Sequence, residues 1–392
     1  MSIGNFSKPE RRELGSIGTL WFKGQPFKKT DIVETGKYPC LHYGELFSKY
    51  GAIIDSVSSR CYVPPKRLSQ KGDILFPASD VTPAGLTRCS AIMQEDVILG
   101  GDVIGFRPQT GLNPIYLSYA IRHQKDQLLQ RVTGALIKHI SAKSLQSVII
   151  PIHPIESQNR FEKQVRHLNR IISHRRTQLA KLDELVKCRF VEMFGDPVAN
   201  DKGWPIVRLD AIADIRIGPF GSLLHKEDYQ SGNHALVNPS HIVEGKIKVD
   251  STLSVSNDKY NELSAYWLNP GDIVMGRRGE MGRCAVVEHS GLICGTGSLI
   301  IRTHGQMKPY FLQNILSRPE YKKIIEDKAV GVTMMNLNVP IVSSLEVPLL
   351  PHEQQIEFLG FTHRIDKLRF DIQKSLNETQ KLFDSLMQEY FD

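Results

Sequence analysis

The chain has 392 residues, and 49 Lys and Arg against 42 Asp and Glu give it a formal net charge of +7 and a sequence pI near 9.0. This length exceeds what one hydrophobic core usually organises, and the basic excess favours a polyanionic partner, nucleic acid first. The first residues lack an apolar signal core, no run of about eighteen apolar residues follows, and the six cysteines form no C-x-x-C pair, so we expect a soluble, cytoplasmic protein without membrane partner or zinc ribbon.

The first part of the chain, segment 10–150, has the pattern of a mixed globular unit. Short apolar runs typical of β-strands, such as GDILF at 72–76, surround one helical pattern that begins at Pro114. Strands followed by a helix and a return strand indicate an α+β fold. Lys and Arg side chains bind DNA phosphates, and Arg also grips guanine edges, so basic loop residues are candidate contacts, with an ordinary solvated charge as the alternative for each Lys. The candidates are Lys28, Lys29, Arg60, Lys66, Arg67 and Arg88, with Ser79 nearby.

A long helix is predicted next. From Phe161 to Met193, residues at alternating steps of four and three are apolar apart from Arg175 and Arg189, which describes a helix with a coiled-coil seam. Pro154 suits the start of this helix, and Gly195 suits its end. At about 1.5 Å per residue the helix is a rod of roughly 57 Å, which needs a partner to be stable in water. We expect Phe161, Leu168 and Leu179 to hold its seam.

Segment 204–347 repeats the mixed pattern with different loops. GDIVM at 271–275 echoes GDILF, and a helical pattern begins at Pro309. The pair Arg277-Arg278, flanked by glycines, is the strongest candidate, because an open backbone beside arginines suits insertion into a DNA groove. The basic loop residues of this segment are Lys246, Lys248, Arg277, Arg278 and Arg283.

A second long helix follows, and the element that starts it repeats the element that starts the first. In the second helix we expect Phe358, Ile365 and Leu376 to hold the seam. The economical explanation is two tandem units whose helices pack together, antiparallel, and hold the globular segments apart. The alternative is two ordinary amphipathic helices that each cover their own domain. The repeated residues are Pro151, Pro154, Gln158 and Phe161, which recur 197 positions later as Pro348, Pro351, Gln355 and Phe358.

Motifs for catalysis are weak. Asn113-Pro114-Ile115-Tyr116 is similar to the N-P-P-Y loop with which adenine methyltransferases hold a flipped base, but no glycine-rich AdoMet loop precedes it, and a helix start is the plainer interpretation. The thirteen histidines form no metal-ligand cluster. We therefore expect no catalytic residue, metal or cofactor in this chain.

The paired P-x-x-P-x-x-x-Q-x-x-F element, each copy opening a long helix after a G-D-I-containing unit, resembles the specificity subunit of type I restriction–modification enzymes. The resemblance covers essentially the whole chain, from about residue 10 to 392. It implies an α+β fold with two tandem, pseudo-symmetric target recognition domains separated by two long antiparallel coiled-coil helices. The implied segments are 1–150 and 196–347 for the two recognition domains, and 151–195 and 348–392 for the helical spacers.

The resemblance also implies a function and partners. Each recognition domain would read one half of a split double-stranded DNA site, with the helices as a ruler. Two methylation subunits would bring AdoMet and methylate adenine, and restriction subunits would bring ATP and Mg²⁺ for cleavage. The alternatives are a self-sufficient DNA-binding or scaffolding protein and an adenine methyltransferase that uses Asn113 and Tyr116.

Overall fold

The computed structural model describes residues 9–21, 23–220, 223–329 and 336–392. The first globular segment has the predicted α+β composition. Its strands are β1 (Glu10–Glu13), β2 (Gly18–Trp21), β3 (Tyr38–Leu41), β4 (Ile53–Ile54), β5 (Arg60–Cys61), β6 (Ile74–Pro77), β7 (Ser79–Asp80), β8 (Ser90–Ile92), β9 (Ile98–Leu99), β10 (Val103–Pro108), β11 (Lys138–His139) and β12 (Ile149–Ile152). Its helices are α1 (Glu45–Ser48), α2 (Pro114–His123), α3 (Lys125–Leu129) and α4 (Ala142–Gln146).

The long helix α5 (Ile155–Phe194) then leads to the second globular segment, which is followed by the long helix α10 (His352–Phe391). The strands of the second segment are β13 (Ile206–Arg208), β14 (Ala213–Ile217), β15 (His234–Val237), β16 (Ile242–Val243), β17 (Lys246–Ile247), β18 (Ser254–Val255), β19 (Trp267–Leu268), β20 (Ile273–Gly276), β21 (Cys284–Val286), β22 (Leu292–Cys294), β23 (Ser298–Thr303) and β24 (Glu346–Pro348). Its helices are α6 (Asn257–Glu262), α7 (Pro309–Leu316), α8 (Pro319–Lys328) and α9 (Val339–Ser343).

Both long helices are shared between two compact units. The first unit contains the described residues up to Thr177 together with Gln373–Asp392, and the second unit contains Gln178–Ile372. Each helix therefore begins in one unit and ends in the other.

The two units have corresponding sheets. In the first unit the main sheet has the order β2-β10-β6-β8-β4, and in the second the order is β14-β23-β20-β21. A smaller sheet contains a parallel pair in each unit, β3 with β9 and β15 with β22. A two-stranded ladder joins the start of each globular segment to the strand before its long helix, β1 with β12 and β13 with β24. The internal repeat is thus a repeat of topology.

The repeated G-D-I triplet places a buried carboxylate in an ion pair with a partly exposed arginine in each unit. The Asp73 carboxylate is 1% exposed and accepts two hydrogen bonds from Arg107, with Nε–Oδ1 at 2.8 Å and Nη2–Oδ2 at 2.9 Å. Asp272 receives the same two bonds from Arg302, both at 2.7 Å. These bonds raise the pKa of each guanidinium above its usual range. A bidentate pair of this kind fixes β6 against β10 in the first unit and β20 against β23 in the second.

A buried glutamine fastens the start of each long helix. The Gln158 side chain is 1% exposed, accepts from the backbone N–H of Asn113 at 2.9 Å and donates to the carbonyl of His153 at 2.7 Å. Gln355 is fully buried, accepts from the N–H of Lys308 at 2.8 Å and donates to the carbonyl of Leu350 at 2.9 Å. The repeated Gln therefore ties the helix start to the loop before α2 or α7.

In the first unit, aromatic rings join the beginning of α5 to the end of α10. Phe161 is buried, and its ring centroid lies 5.0 Å from that of Tyr390 and 5.1 Å from that of Phe391. Tyr116 of α2 completes the cluster, at 5.6 Å from Phe161. Contact between the first turns of one helix and the last turns of the other makes the helices antiparallel here.

The second unit repeats this arrangement with the helices exchanged. Phe358, near the start of α10, contacts Phe190 and Phe194, near the end of α5, at 5.5 and 5.4 Å. Arg369, eleven residues after Phe358 on α10, forms an ion pair with Asp183 of α5 at 2.5 Å. The other four residues expected in the seam differ in burial: Ile365 is buried, and Leu168, Leu179 and Leu376 are half-buried.

The prediction of one helix at Pro114 and one at Pro309 is wrong about the number of helices. Each single helical pattern is in fact two helices, α2 and α3 in the first segment and α7 and α8 in the second. Gln124 leaves the helical conformation with ψ at 41°, and Pro319 lacks the N–H that a continuous helix would need. The long helices are uninterrupted, and α5 ends where Gly195 takes a positive φ of 71°.

We expect Gln158→Ala and Gln355→Ala each to lower the free energy of unfolding by about 2–3 kcal/mol, because each leaves a buried N–H and a buried carbonyl without a partner. Urea titration followed by circular dichroism measures this change. Gln388→Ala, at an exposed position of α10, is the matched control and should change stability by less than about 0.5 kcal/mol. Equal stability of all three variants would contradict the anchoring role.

Thiol reactivity should separate one cysteine from the other five. Cys188 is exposed on α5, and the remaining cysteines are buried. Burial raises the pKa of Cys89 and of Cys284 to about 12, so the reactive thiolate is scarce near neutral pH. We expect Ellman's reagent to titrate one thiol in the folded chain and six after denaturation, and Cys188→Ser to remove the fast thiol. A second fast thiol in that variant would contradict the observed burial.

Candidate nucleic-acid interface

Four basic candidates of the first unit lie exposed on loops. Lys28 and Lys29 enter a short turn in which the Asp31 carboxylate accepts from the backbone N–H of Lys28 at 2.7 Å. Lys66 and Arg67 lie together on another loop, and both side chains are exposed. Their charges face solvent, where a DNA phosphate can reach them.

Other candidates of this unit also support local structure. Arg60 donates to the carbonyls of Gly36 and Lys37 at 2.6 and 2.7 Å, and Arg88 donates to the carbonyl of Phe47 at 2.6 Å. Ser79 is 8% exposed and lies in the β7–β11 ladder opposite His139. Arg60 and Arg88 therefore hold neighbouring loops with part of their donor capacity, which leaves further N–H groups of each guanidinium for other partners.

The Arg277-Arg278 pair is divided between interior and surface. Arg277 is 5% exposed, and its Nε lies 3.1 Å from Oδ1 of Asn336 and 3.2 Å from the carbonyl of Leu337. Burial, followed by the neighbouring charge of Arg278, lowers the pKa of this guanidinium. Arg278 is exposed and pairs through its backbone with Asn336. Arg278 is thus the member of the pair that faces solvent.

The other three candidates of the second unit are exposed. Lys246 begins β17, just after the tight turn at Glu244 and Gly245, and Lys248 follows that strand. Arg283 forms an ion pair with Glu280. All twelve candidates remain predictions, but the burial of Ser79 and Arg277 speaks against direct DNA contact by these two side chains. The candidates with exposed side chains outside the bonds described above are Lys28, Lys29, Lys66, Arg67, Lys246, Lys248 and Arg278.

Asn113 and Tyr116 are structural. The Asn113 side chain caps α2 by accepting from the N–H groups of Ile115 and Tyr116, both at 3.0 Å. Tyr116 is fully buried, its hydroxyl donates to the carbonyl of Pro151 at 2.8 Å, and burial raises the pKa of this phenol. The helix-start interpretation of this motif is confirmed, and neither side chain is free to hold an extruded base.

Within the described ranges, no group of three or more His, Cys, Asp or Glu side chains could hold a metal ion. No helix among the same residues is long and apolar enough to cross a membrane.

Comparison with known proteins identifies the first part of the chain. Residues 7–183 match the family model described as the type I restriction modification DNA specificity domain. Residues 7–183 carry a type I DNA specificity domain. The family resemblance expected from the repeated Pro-Gln-Phe element is thereby confirmed.

Individual relatives agree with this specificity domain. The specificity subunit of the type I restriction enzyme MjaVIII from Methanocaldococcus jannaschii is 20% identical over 295 residues, which are 70% of this chain and 69% of that protein. The S subunit of a type I system from M. genitalium has a similar fold, with a TM-score of 0.60, 15% identity, and coverage of 100% of this chain and 98% of that one. A structure described as concerning complex assembly and conformational transition of the type I R-M system gives a TM-score of 0.59 at 16% identity, covering 99% of both chains.

Several residues of the specificity domain's surface escaped sequence reasoning. Trp21, Gln25 and Arg107 lie beside the loop that carries Lys66 and Arg67, although they are 40 or more positions away in the chain. The repeated G-D-I triplet was a signal for Asp73, but its Arg partner follows more than thirty positions later. The sequence offers no local pattern that joins them.

The divided arginine pair gives a direct test. Arg277→Ala should lower the free energy of unfolding by about 2–3 kcal/mol, since it strips a donor from the buried carbonyl of Leu337 and from Asn336. Arg278→Ala should change stability by less than about 0.5 kcal/mol and should instead weaken binding to duplex DNA. Urea unfolding and fluorescence anisotropy measure the two effects. The assignment is wrong if Arg277→Ala alone weakens DNA binding while leaving stability unchanged.

Proposed function

We propose that the chain is the non-catalytic DNA-recognition subunit of a type I restriction–modification complex. The observation that carries the proposal is the repetition of one scaffold with two different sets of basic loops. Asp73 and Asp272 make the same ion pair, and Gln158 and Gln355 make the same anchor, while the loops beside them differ in sequence and charge. A shared scaffold with divergent loops suits two readers of different sequences, each of which would take one half of a split, asymmetric site.

In this proposal the long helices set the gap between the half-sites. Each contains 40 residues and is about 60 Å long at 1.5 Å per residue. Half-sites one DNA turn apart are separated by about 34–36 Å, a length that such a helix exceeds. The helices would fix the number of base pairs that remain unread, so this number should depend on helix length.

Catalysis would belong to partner subunits. Adenine methylation requires an AdoMet site and a pocket for an extruded base, and the side chains of Asn113 and Tyr116 are engaged in capping and core packing. We assign AdoMet to two methylation subunits, which would dock on the two equivalent helix starts. Restriction subunits would supply ATP- and Mg²⁺-dependent cleavage. This chain would need no cofactor of its own.

Co-expression with the methylation subunit of the same locus tests the proposal. Methylation-sensitive sequencing of the host genome should find N6-methyladenine in a split motif with a fixed gap. A stable complex without such a motif would contradict bipartite recognition. If no complex forms and the chain still binds DNA, the self-sufficient DNA-binding or scaffolding protein replaces the proposal.

The helix-length prediction follows from the same assay. Removing seven residues from α5 (170–176) and seven from the antiparallel stretch of α10 (375–381) shortens the pair by about 10 Å. We expect methylation at the original gap to be lost, with any new motif shorter by about three base pairs. Thr177→Ala, an exposed change that keeps the length, should leave the motif unchanged. An unaltered gap after the deletion would contradict the ruler.

A further inference from the structure

A cleft of about 480 Å³ lies on the surface of the first unit. It opens between the end of β2, the Lys66-Arg67 loop and the end of β10. The side chains that matter for its chemistry are Thr19, Trp21, Lys66, Arg67, Gln70 and Arg107.

The charges of this cleft are unbalanced. Three of its lining residues are cations, and no carboxylate of the described residues lines it. Asp73 neutralises Arg107 from the buried side, which leaves Lys66 and Arg67 as excess positive charge. A neighbouring cleft of about 520 Å³ contrasts with it, because two lysines there face two carboxylates, one of which pairs with Lys23 at 3.2 Å. The cleft lined by Lys66 and Arg67 therefore has the excess positive charge that attracts an anion.

The loop that carries the two cations is held in place from below. The Gln25 side chain is 5% exposed and accepts from the backbone N–H groups of Lys66 at 2.5 Å and Arg67 at 3.0 Å. Its amide donates to the carbonyl of Pro64 at 2.9 Å. Gln25 is thus a positioning residue, and the cations need little reorganisation to meet a ligand.

The opposite wall is equally ordered. The guanidinium carbon of Arg107 lies 5.0 Å from the ring centroid of Trp21, and Asp73 holds that guanidinium with two bonds. Two of its five N–H groups are used in this way, so three remain as donors. Thr19 and Gln70 add a hydroxyl and an amide. Side chains of these types, cationic Lys and Arg and neutral Thr and Gln, are the usual hydrogen-bond donors to DNA phosphate oxygens.

The second unit has different chemistry at the same place in the sheet. Thr19 is opposite Arg107 in the β2–β10 ladder, and Asp214 is opposite Arg302 in the equivalent β14–β23 ladder. The Asp214 side chain is 81% exposed, so it presents a carboxylate where the first unit presents a hydroxyl. Arg216 stands in the position of Trp21 and donates to the carbonyl of Ala265 at 2.7 Å. The Asp214 carboxylate, which lies 3.2 Å from Nε2 of His304, balances the charge of Arg216, so these side chains offer a phosphate no excess positive charge.

We propose that the cleft of the first unit binds a backbone phosphate of duplex DNA, with Lys66 and Arg67 as the charge partners and Thr19 and Gln70 as neutral donors. This inference rests on the proposed DNA-recognition function. The contact carries no base information, so it sets the position of the first unit on the duplex and leaves sequence reading to other loops.

Salt-dependent binding of the full chain to a fluorescein-labelled duplex of random sequence tests the cleft. Lys66→Gln with Arg67→Gln should reduce the slope of log affinity against log salt concentration by about 2. Lys71→Gln removes one charge at an exposed lysine outside the cleft, and this control should change the slope by less than half of that. Gln25→Ala should weaken binding although it removes no charge.

A second pair of variants separates charge from shape. Thr19→Asp recreates the carboxylate of the second unit and should weaken binding about ten-fold, while Thr19→Asn should bind within about two-fold of the unmodified chain. Urea unfolding confirms that each variant is folded. The cleft is excluded if the two Thr19 variants bind equally, or if Lys71→Gln lowers the slope as much as the double variant does. If these variants do not behave as expected while the genome still carries a split methylation motif, the cleft does not bind a DNA phosphate, and the proposed function remains intact. Absence of binding to random duplex by the unmodified chain would overturn the cleft as well.

Discussion

The structure depends on how firmly each long helix is held where it leaves a globular segment. A helix of this length is marginal alone in water, so it must be fastened to the rest of the unit. Gln158 and Gln355 do this with one buried side chain each, which accepts from a loop N–H of the same segment and donates to the carbonyl of a residue just before the helix. Phe161 and Phe358 lie one turn further along each helix. Their rings pack against aromatic residues near the end of the other long helix. Direction and register of both helices follow from these four side chains.

The residues that the two units share differ in role from those that vary between them. Residues that repeat between the units are bonded to their own unit, as the buried carboxylates of Asp73 and Asp272 are to the partly exposed Arg107 and Arg302. Breaking such a pair leaves a buried carboxylate without compensation, which costs far more than altering an exposed side chain. Positions that face solvent beside these pairs differ, and a hydroxyl at Thr19 corresponds to a carboxylate in the second unit. Stability therefore resides in the scaffold, and the surface can change its ligand without disturbing it.

Sequence patterns predicted the elements whose causes are local. Proline and glycine mark the ends of the long helices, and alternating apolar runs mark the strands, because each is a property of a few neighbouring residues. The burial of Arg277 was not foreseen, since the glycines around it suggested an open loop. It directly follows β20, and the alternation of a strand turns successive side chains to opposite faces, so Arg277 points inward and Arg278 outward. The corresponding first-unit residue, Ala78, is buried as well. The cleft was missed for a different reason, because its walls meet only through the order of strands in the sheet.

Two uses of cationic side chains follow from this geometry. Arg60 bonds backbone carbonyls of its own unit, and Arg277 bonds a carbonyl and an amide, so their positions are fixed by the fold. Lys66 and Arg67 differ, since Gln25 fixes their backbone and leaves their side chains to the solvent. Fixing the backbone reduces the entropy that binding must otherwise remove, while the free charges keep their attraction for an anion. In the proposed function, such a surface would bind DNA through prearranged charge, which requires no residue that makes or breaks a covalent bond.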